Sequence, residues 1–465
     1  MEAMVGQQCV ELSAAVQEPR RAPAFVRALC LLGLLGGAWL FGRAGNTTAK
    51  LGWPDFEFFY KAGASLLERG SLDPGYDITA VGQVQPRGRL DWYLPFTSRL
   101  MTLLAWLPQR QAGQIWLALN LVAMLATVRL VGRHFAGLPP ADWPVTQLLP
   151  FFALGLFWYW EFRLIQIDNL ALLLMVGSFV CWRRGHTKTA GFWLGLAVLI
   201  KLVPMLLVIW FALKRQYRAV ATALATVVLA GPVADAVVFG PADAVDIYRS
   251  WAGAAVRDAS HAGLIAAQRE MDWRNQGLGA VACRWLHPTD YNTRFDNDPR
   301  QRPPREKYTL NVANLSQRQV TAVVMAAEGL LLAGLLWLGR HGVRRLNEWA
   351  LRVEWALFMT AMLWFMPVMR SYHVMWAYPL IAVLGGAIHH HGVAHWWSLI
   401  AWLALIGVAA SQMTAFWMES GAGGAILGAT LGLGVAGVVL RWKEAVSGGK
   451  QVDQGRRARG LMIFR

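Results

Sequence analysis

Acidic residues and cysteines are both scarce in this chain of 465 residues. The four cysteines are Cys9, Cys30, Cys181 and Cys283, and only Cys283 falls in a candidate outside loop, where it has no partner, so no disulfide framework is implied. There are 28 Asp and Glu against 44 Lys and Arg, a net charge of +16. That excess does not gather on one polar face, as a nucleic-acid surface requires. It falls in short clusters between apolar runs, so nucleic acid is not an expected partner. Also missing are a Gly-Lys phosphate loop and a dinucleotide fingerprint, which argues against nucleotide chemistry and leaves no cofactor to expect. His389, His390 and His391 with His395 have metal-like spacing but fall on the expected cytoplasmic side, and no metal site is expected.

What is abundant is apolar. The chain is 56% hydrophobic with mean hydropathy +0.36, and its apolar runs of roughly 18 to 24 residues have the length that crosses a bilayer core. They continue from about Ala24 to about Leu440, so an all-α integral membrane protein with one membrane body is expected. The expected organisation is a cytoplasmic tail over 1–23, a transmembrane domain over 24–440 with outside loops at about 43–93 and 240–317, and a basic cytoplasmic tail over 441–465. Arg20 and Arg21 precede the first apolar run, which lacks a small-residue cleavage site and reads as a retained helix.

Charge placement constrains the topology. If every run crossed, Arg183, Arg184 and Lys188 would end opposite Lys214, Arg215 and Arg218, against the positive-inside rule. Two readings remove the conflict: 94–108 lies at the outer surface, and 189–213 is a hairpin broken around Lys201 and Pro204. A kinked continuous helix is the rival. Proline lacks the backbone donor and clashes with the preceding turn, and irregular backbone at membrane depth is tolerated where it lines a polar cavity. With the hairpin, Arg20/Arg21, Arg129/Arg133, Arg183/Arg184, Lys214/Arg215, Arg340/Arg344/Arg345 and Arg441/Lys443 share the cytoplasmic side, with about ten full crossings between the faces.

The candidate chemistry therefore lies on the outer side. Asp55 and Glu57 stand among aromatics in Trp53–Tyr60, where a partly desolvated carboxylate could take a proton from a sugar hydroxyl and rings such as Tyr60 could pack on a pyranose; the bland reading is solvated acids in an aromatic belt. Glu161–Asn169 runs polar groups into an apolar segment; Arg163 could meet a phosphate while Gln166 and Asn169 offer amides, or the group could only bond helices together. Lys201, set between apolar neighbours, and Arg370, whose guanidinium can grip two oxygens, are further phosphate candidates; either could instead be an interfacial anchor. His373, Asn275 and Gln276 could bind sugar or acceptor. A transporter or flippase of a lipid-linked saccharide would use the same cationic cavity without a base. It would often show repeated halves, and no clear repeat is present.

The residues also carry a resemblance. An acid and aromatics follow the first helix in Asp55-Phe56-Glu57-Phe58-Phe59-Tyr60-Lys61-Ala62. Then come Trp92-Tyr93-Leu94-Pro95, Leu107-Pro108 with Trp116 and Asn120, Ile165-Gln166-Ile167-Asp168, and Ala190-Gly191, Gly195-Leu196 and Lys201-Leu202-Val203-Pro204. In this order they resemble the multi-spanning GT-C glycosyltransferases of family 87 (DUF2029), the bacterial polyprenyl-phosphate-mannose-dependent mannosyltransferases and related arabinofuranosyltransferases. The likeness covers roughly Gly52 to Arg218, then thins to patches around Asn275 and Arg370. It departs at Leu94 (one of a proline pair), Ile165 (a glycine) and Asp168 (an asparagine, with Asn169 beside it). The resemblance implies an inverting transfer of a sugar, most simply mannose, from a polyprenyl-phosphate donor to a lipid or glycan acceptor of the cell envelope. It implies Asp55 as base, Arg163, Lys201 and Arg370 around the donor phosphate, a multi-pass bacterial inner-membrane location, and no nucleotide or obligatory metal. Glu57 and Asp91 remain alternative bases.

Overall fold

The structure is a computed structural model that describes residues 21–49, 55–69, 93–258, 260–290, 309–391, 396–412 and 424–443. Helix is the only regular structure among them. In chain order the helices are α1 (Ala24–Ala49), α2 (Phe56–Arg69), α3 (Pro95–Ala105), α4 (Gln109–His134), α5 (Trp143–Ala153), α6 (Gly155–Leu164), α7 (Asp168–Arg183), α8 (Thr187–Ile200) and α9 (Met205–Leu213). They continue as α10 (Tyr217–Phe239), α11 (Pro241–Asp258), α12 (His261–Ala266), α13 (Leu278–Leu286), α14 (Gln317–Gly339), α15 (Glu348–Ala361), α16 (Tyr378–His391), α17 (Trp396–Ser411) and α18 (Ala425–Lys443). Six segments are long and apolar enough to cross a membrane: α1, α4, α10, α14, α18 and Ser371–His389. The chain is an all-α, multi-pass integral membrane protein.

The segment between the Arg183/Arg184 and Lys214/Arg215 clusters is a hairpin. Gly191 of α8 packs on the Ala219 carbonyl of α10 and Gly195 on that of Ala223, so these two helices run parallel, close enough that a side chain at either glycine would strike backbone. α9 must then return between them. It does: Trp182 at the end of α7 stands edge-on to Trp210, with ring centroids 5.3 Å apart, and its indole N–H donates to Gln216 at 3.1 Å.

Proline chemistry explains the turn. Pro204 cannot donate to Ile200, and the Ile200 carbonyl instead accepts from the Thr97 hydroxyl of α3 at 3.4 Å. Lys201 is extended at φ −140°, which ends α8. α10 is broken the same way by Pro232, with Gly231 non-helical inside it. There the carbonyls of Ala230 and Gly231 accept from Arg99 of α3, which also pairs with Asp235, itself bonded by the Tyr248 hydroxyl at 2.7 Å. Pro95 suits the first position of a helix, and it starts α3 after an extended Leu94. Thus one short helix at the end of the bundle closes two proline breaks, and Gly63 of α2 packs against it at Met101.

The opposite end gathers the basic clusters. Arg183 pairs with Glu348, Arg184 lies 3.4 Å from His134, and Lys214 donates to the carbonyls of Gly339 and His341, both at 2.8 Å. Glu354, fully buried, receives Lys214, the Arg441 Nε at 2.6 Å and the Trp210 indole at 3.2 Å. One carboxylate so ties α9, α15 and α18 together and neutralises two buried cations. Arg20 and Asp91 lie outside the described residues.

Two outcomes follow. Cysteines introduced at His186 and Gln216 are expected to react with an impermeant reagent from the same membrane face; modification from opposite faces contradicts the hairpin. Glu354→Ala strands Lys214 and Arg441 without their counter-charge and should cost roughly 3–5 kcal/mol, read as a lowered thermal midpoint in detergent; an unchanged midpoint contradicts it.

Candidate active site

The end away from the basic clusters holds the polar groups that the sequence singles out. Glu161 and Arg163 sit two residues apart on α6 and therefore point to different faces. Glu161 is buried, and its Oε1 accepts the backbone N–H groups of Asp168 and Asn169, at 3.1 and 3.2 Å, together with the Asn169 side-chain amide at 3.4 Å. It thus takes up the unpaired donors at the start of α7, where a negative charge is favoured. Arg163 is exposed; its guanidinium stacks 4.9 Å from the Trp160 ring centroid and lines neither cavity described below.

Between the two helices, Ile165 adopts φ 55°, ψ 56°, a left-handed conformation that costs an L residue roughly 1–2 kcal/mol. This is the position where the resembling proteins carry glycine. The turn lets the Gln166 N–H reach the Glu161 carbonyl at 3.2 Å, while the Gln166 carbonyl accepts from the Trp116 indole at 3.3 Å. So fixed, the Gln166 side-chain amide donates to the Asp55 carboxylate. Asp55 stands immediately before α2, and its carbonyl accepts from Phe58 N–H at 3.2 Å. Asp55, Gln166, Thr97, Ser98, Arg370 and Tyr372 are among the residues around a cavity of about 90 Å³.

Lys201, at the hairpin tip, donates to Asp168 Oδ1 at 2.6 Å and lies 2.8 Å from His373 Nε2. His373 Nδ1 accepts the Arg370 N–H at 3.0 Å, so in the neutral ring the hydrogen is on Nε2. Two donors thus face one another; among the described residues Asp168 is the anion that answers them, with Oδ2 3.8 Å from the imidazole, and the Tyr93 and Trp376 ring centroids lie 5.9 and 5.4 Å from the ammonium. Such a pair is suited to a second anion. It opens into a groove of about 530 Å³ walled by Leu202, Val203, Leu206, Ile209, Leu332 and Phe365. Tyr93, Val368 and Tyr372 line both the groove and the Asp55 cavity, so the two adjoin.

The other expected residues are engaged elsewhere. Arg370 borders the Asp55 cavity, but its guanidinium is held by Glu270 and by Asp272 at 3.0 Å. Asn275 spends its amide on backbone: it donates to the carbonyls of Glu270 and Pro367 and accepts from Gly277 and Met369 N–H, at 2.8 to 3.1 Å. Gln276 donates to the Trp273 carbonyl at 2.7 Å and accepts from Ile426 N–H at 3.3 Å. These amides clamp the 270–277 segment over residues 366–370. Arg284 supports the same segment from behind, donating to the carbonyls of Met271, Asp272 and Asn275, and burial brings its pKa down to about 10. Glu57 pairs with Lys61 at 2.5 Å, and the Tyr60 hydroxyl donates to the Leu107 carbonyl at 2.8 Å. The roles of Glu161, Asp168, Glu270 and Asp272 were not legible as roles: Glu161 showed only as an acid beside an apolar stretch and Asp168 as a departure in a motif, while nothing in the polar loop marked Glu270 or Asp272.

No curated protein matches the chain, and no solved structure does. The family profile described as glycosyltransferase family 87 matches residues 92–363, more than half of the chain. The match includes Gln166, Lys201, Asn275 and the hairpin; Asp55 precedes it and Arg370 and His373 follow it. This multi-pass membrane protein belongs to glycosyltransferase family 87.

Proposed function

We propose that the protein moves a sugar, mannose in our reading, from a polyprenyl-phosphate donor to a lipid or glycan acceptor, with inversion and with Asp55 as general base. The observation that carries the reading is that an apolar groove, with a lysine-histidine pair on its wall, adjoins a carboxylate cavity across Tyr93, Val368 and Tyr372. An isoprenoid chain fits the groove's chemistry, its phosphate the Lys201 and His373 donors, and its sugar the side toward Asp55. The acid-bound Arg370 reaches the phosphate only if Glu270 and Asp272 yield. Arg163 has no part in this scheme.

In the reaction, the acceptor hydroxyl gives its proton to Asp55 as its oxygen attacks the anomeric carbon. The bond from that carbon to the phosphate oxygen breaks, and the electron pair leaves on the polyprenyl phosphate, whose charge Lys201 and the His373 N–H offset. Gln166 holds the Asp55 carboxylate in place from its second oxygen. Gln166, on the wall of the Asp55 cavity, keeps Oε1 as a buried acceptor with no donor among the described residues, and a sugar hydroxyl would supply one, whereas Asn169 lines neither cavity. Clustering of the basic groups at the far end supports an outward-facing site in a bacterial inner membrane by the positive-inside rule.

The test is transfer from radiolabelled polyprenyl-phosphate mannose by purified protein. Asp55→Asn should lower turnover by about 10²–10⁴-fold, the usual worth of a general base, with donor binding kept. Full turnover in the variant overturns Asp55 as base; a wild type that binds donor, transfers nothing and moves it across vesicles overturns the transferase assignment in favour of a flippase.

A further inference from the structure

A second large cavity lies at the basic end, far along Ser371–His389 from His373 and unconnected with the groove described above. It measures about 740 Å³ and is formed between α5, α16 and α17, with Leu149, Ala153, Ile381, Leu405, Ile406 and Ala409 among its walls. Its size falls within the roughly 300–1,000 Å³ of ligand pockets, and exposed Leu149 and Ile406 among its walls make it a groove open at the outer surface of the bundle. Water is a poor occupant: it needs several polar partners, and the walls are almost wholly apolar. Of the polar groups there, Asp142 already accepts the Ala22 N–H with both oxygens at 3.3 Å.

Gly385 lines this space, and a methyl group added to it would meet no atom within 4 Å. The helix therefore leaves room on the side facing the gap, although a glycine inside a helix is less stable than alanine by about 1 kcal/mol. One wall is the span Ser371–His389 and another is the shorter apolar helix α17, so the material available at this depth is a hydrocarbon chain. The rim adds charge: exposed His389 lines it, and exposed Arg21 adjoins the rim residue Ala22. Arg183, Arg184, Lys214 and Arg441 collect at the same end.

We propose that this cavity binds one acyl chain of an anionic membrane phospholipid, whose phosphate lies at the rim near Arg21 and His389. The site is separate from sugar transfer and stands whether or not the proposed donor is correct.

The test uses the full chain in phosphatidylcholine nanodiscs doped with phosphatidylglycerol carrying a diazirine in its acyl chain. Photolabelling is expected to concentrate on 381–389 and 402–409. Gly385→Phe, which fills the open space, should abolish that labelling while leaving the thermal midpoint in place; if it does not fold, Ala409→Phe from the facing helix is read in the same way. Labelling spread evenly over outward residues such as Leu399 and Leu403, or undiminished in the folded variant, overturns the site. Equal labelling by tagged phosphatidylcholine overturns the choice of an anionic lipid. Absence of label from both stretches, as when residues 1–20 fill the space, overturns the lipid itself.

Discussion

The contact on which the arrangement depends is the charge pair between Lys201 and Asp168, with His373 against it. An ammonium between apolar neighbours at membrane depth is costly unless paired. Here the cost is offset by a carboxylate at the first position of α7, itself next to the helix N-terminus that Glu161 caps. The tip of the hairpin, the start of α7 and the start of the 371–389 segment are thereby drawn to one point. That pairing leaves the lysine with polar capacity facing the groove, so a structural salt bridge and a phosphate site are compatible uses of the same side chain.

α3 completes the arrangement from outside. Two helices are interrupted by proline, and each interruption frees carbonyl groups that cannot be left bare in a membrane. Thr97 satisfies one break and Arg99 the other, while Thr97 and Ser98 also border the Asp55 cavity. The helix that heals the breaks is therefore also a wall of the active site, and its displacement would disturb both. Another wall is formed by Val368, Arg370 and Tyr372, and behind it the 270–277 segment, pinned by Asn275, carries the two acids that occupy Arg370.

The architecture was largely readable in the sequence because charge clusters and apolar length are properties of single stretches. The conflict between Arg183/Arg184 and Lys214/Arg215, together with Pro204, implied the hairpin that Trp182 and Trp210 reveal. The short, proline-bounded stretch 94–108 is not among the six long apolar segments, and its helix α3 stands at the end of the bundle away from the basic clusters. Roles that depend on pairing across the chain were not readable. Arg163 and Arg370 look equally suited to a phosphate in sequence, yet one is exposed against Trp160 and the other is held by acids about a hundred positions away. Asn275 and Gln276 look like sugar ligands until their backbone partners are known. Ile165 was noticed as a departure from glycine, but the left-handed backbone that gives the departure its cost is a tertiary fact.

Family membership establishes glycosyl transfer, and the geometry proposes how this chain performs it. The most direct test is a structure with a hydrolysis-resistant polyprenyl-phosphonate sugar bound in lipid nanodiscs. The account predicts the isoprenoid chain along Leu202, Leu206 and Leu332, the phosphonate within hydrogen-bond reach of Lys201 and His373, and the anomeric carbon turned toward the Asp55 cavity. A phosphonate seated at Arg163, or a sugar turned away from Asp55, would contradict it.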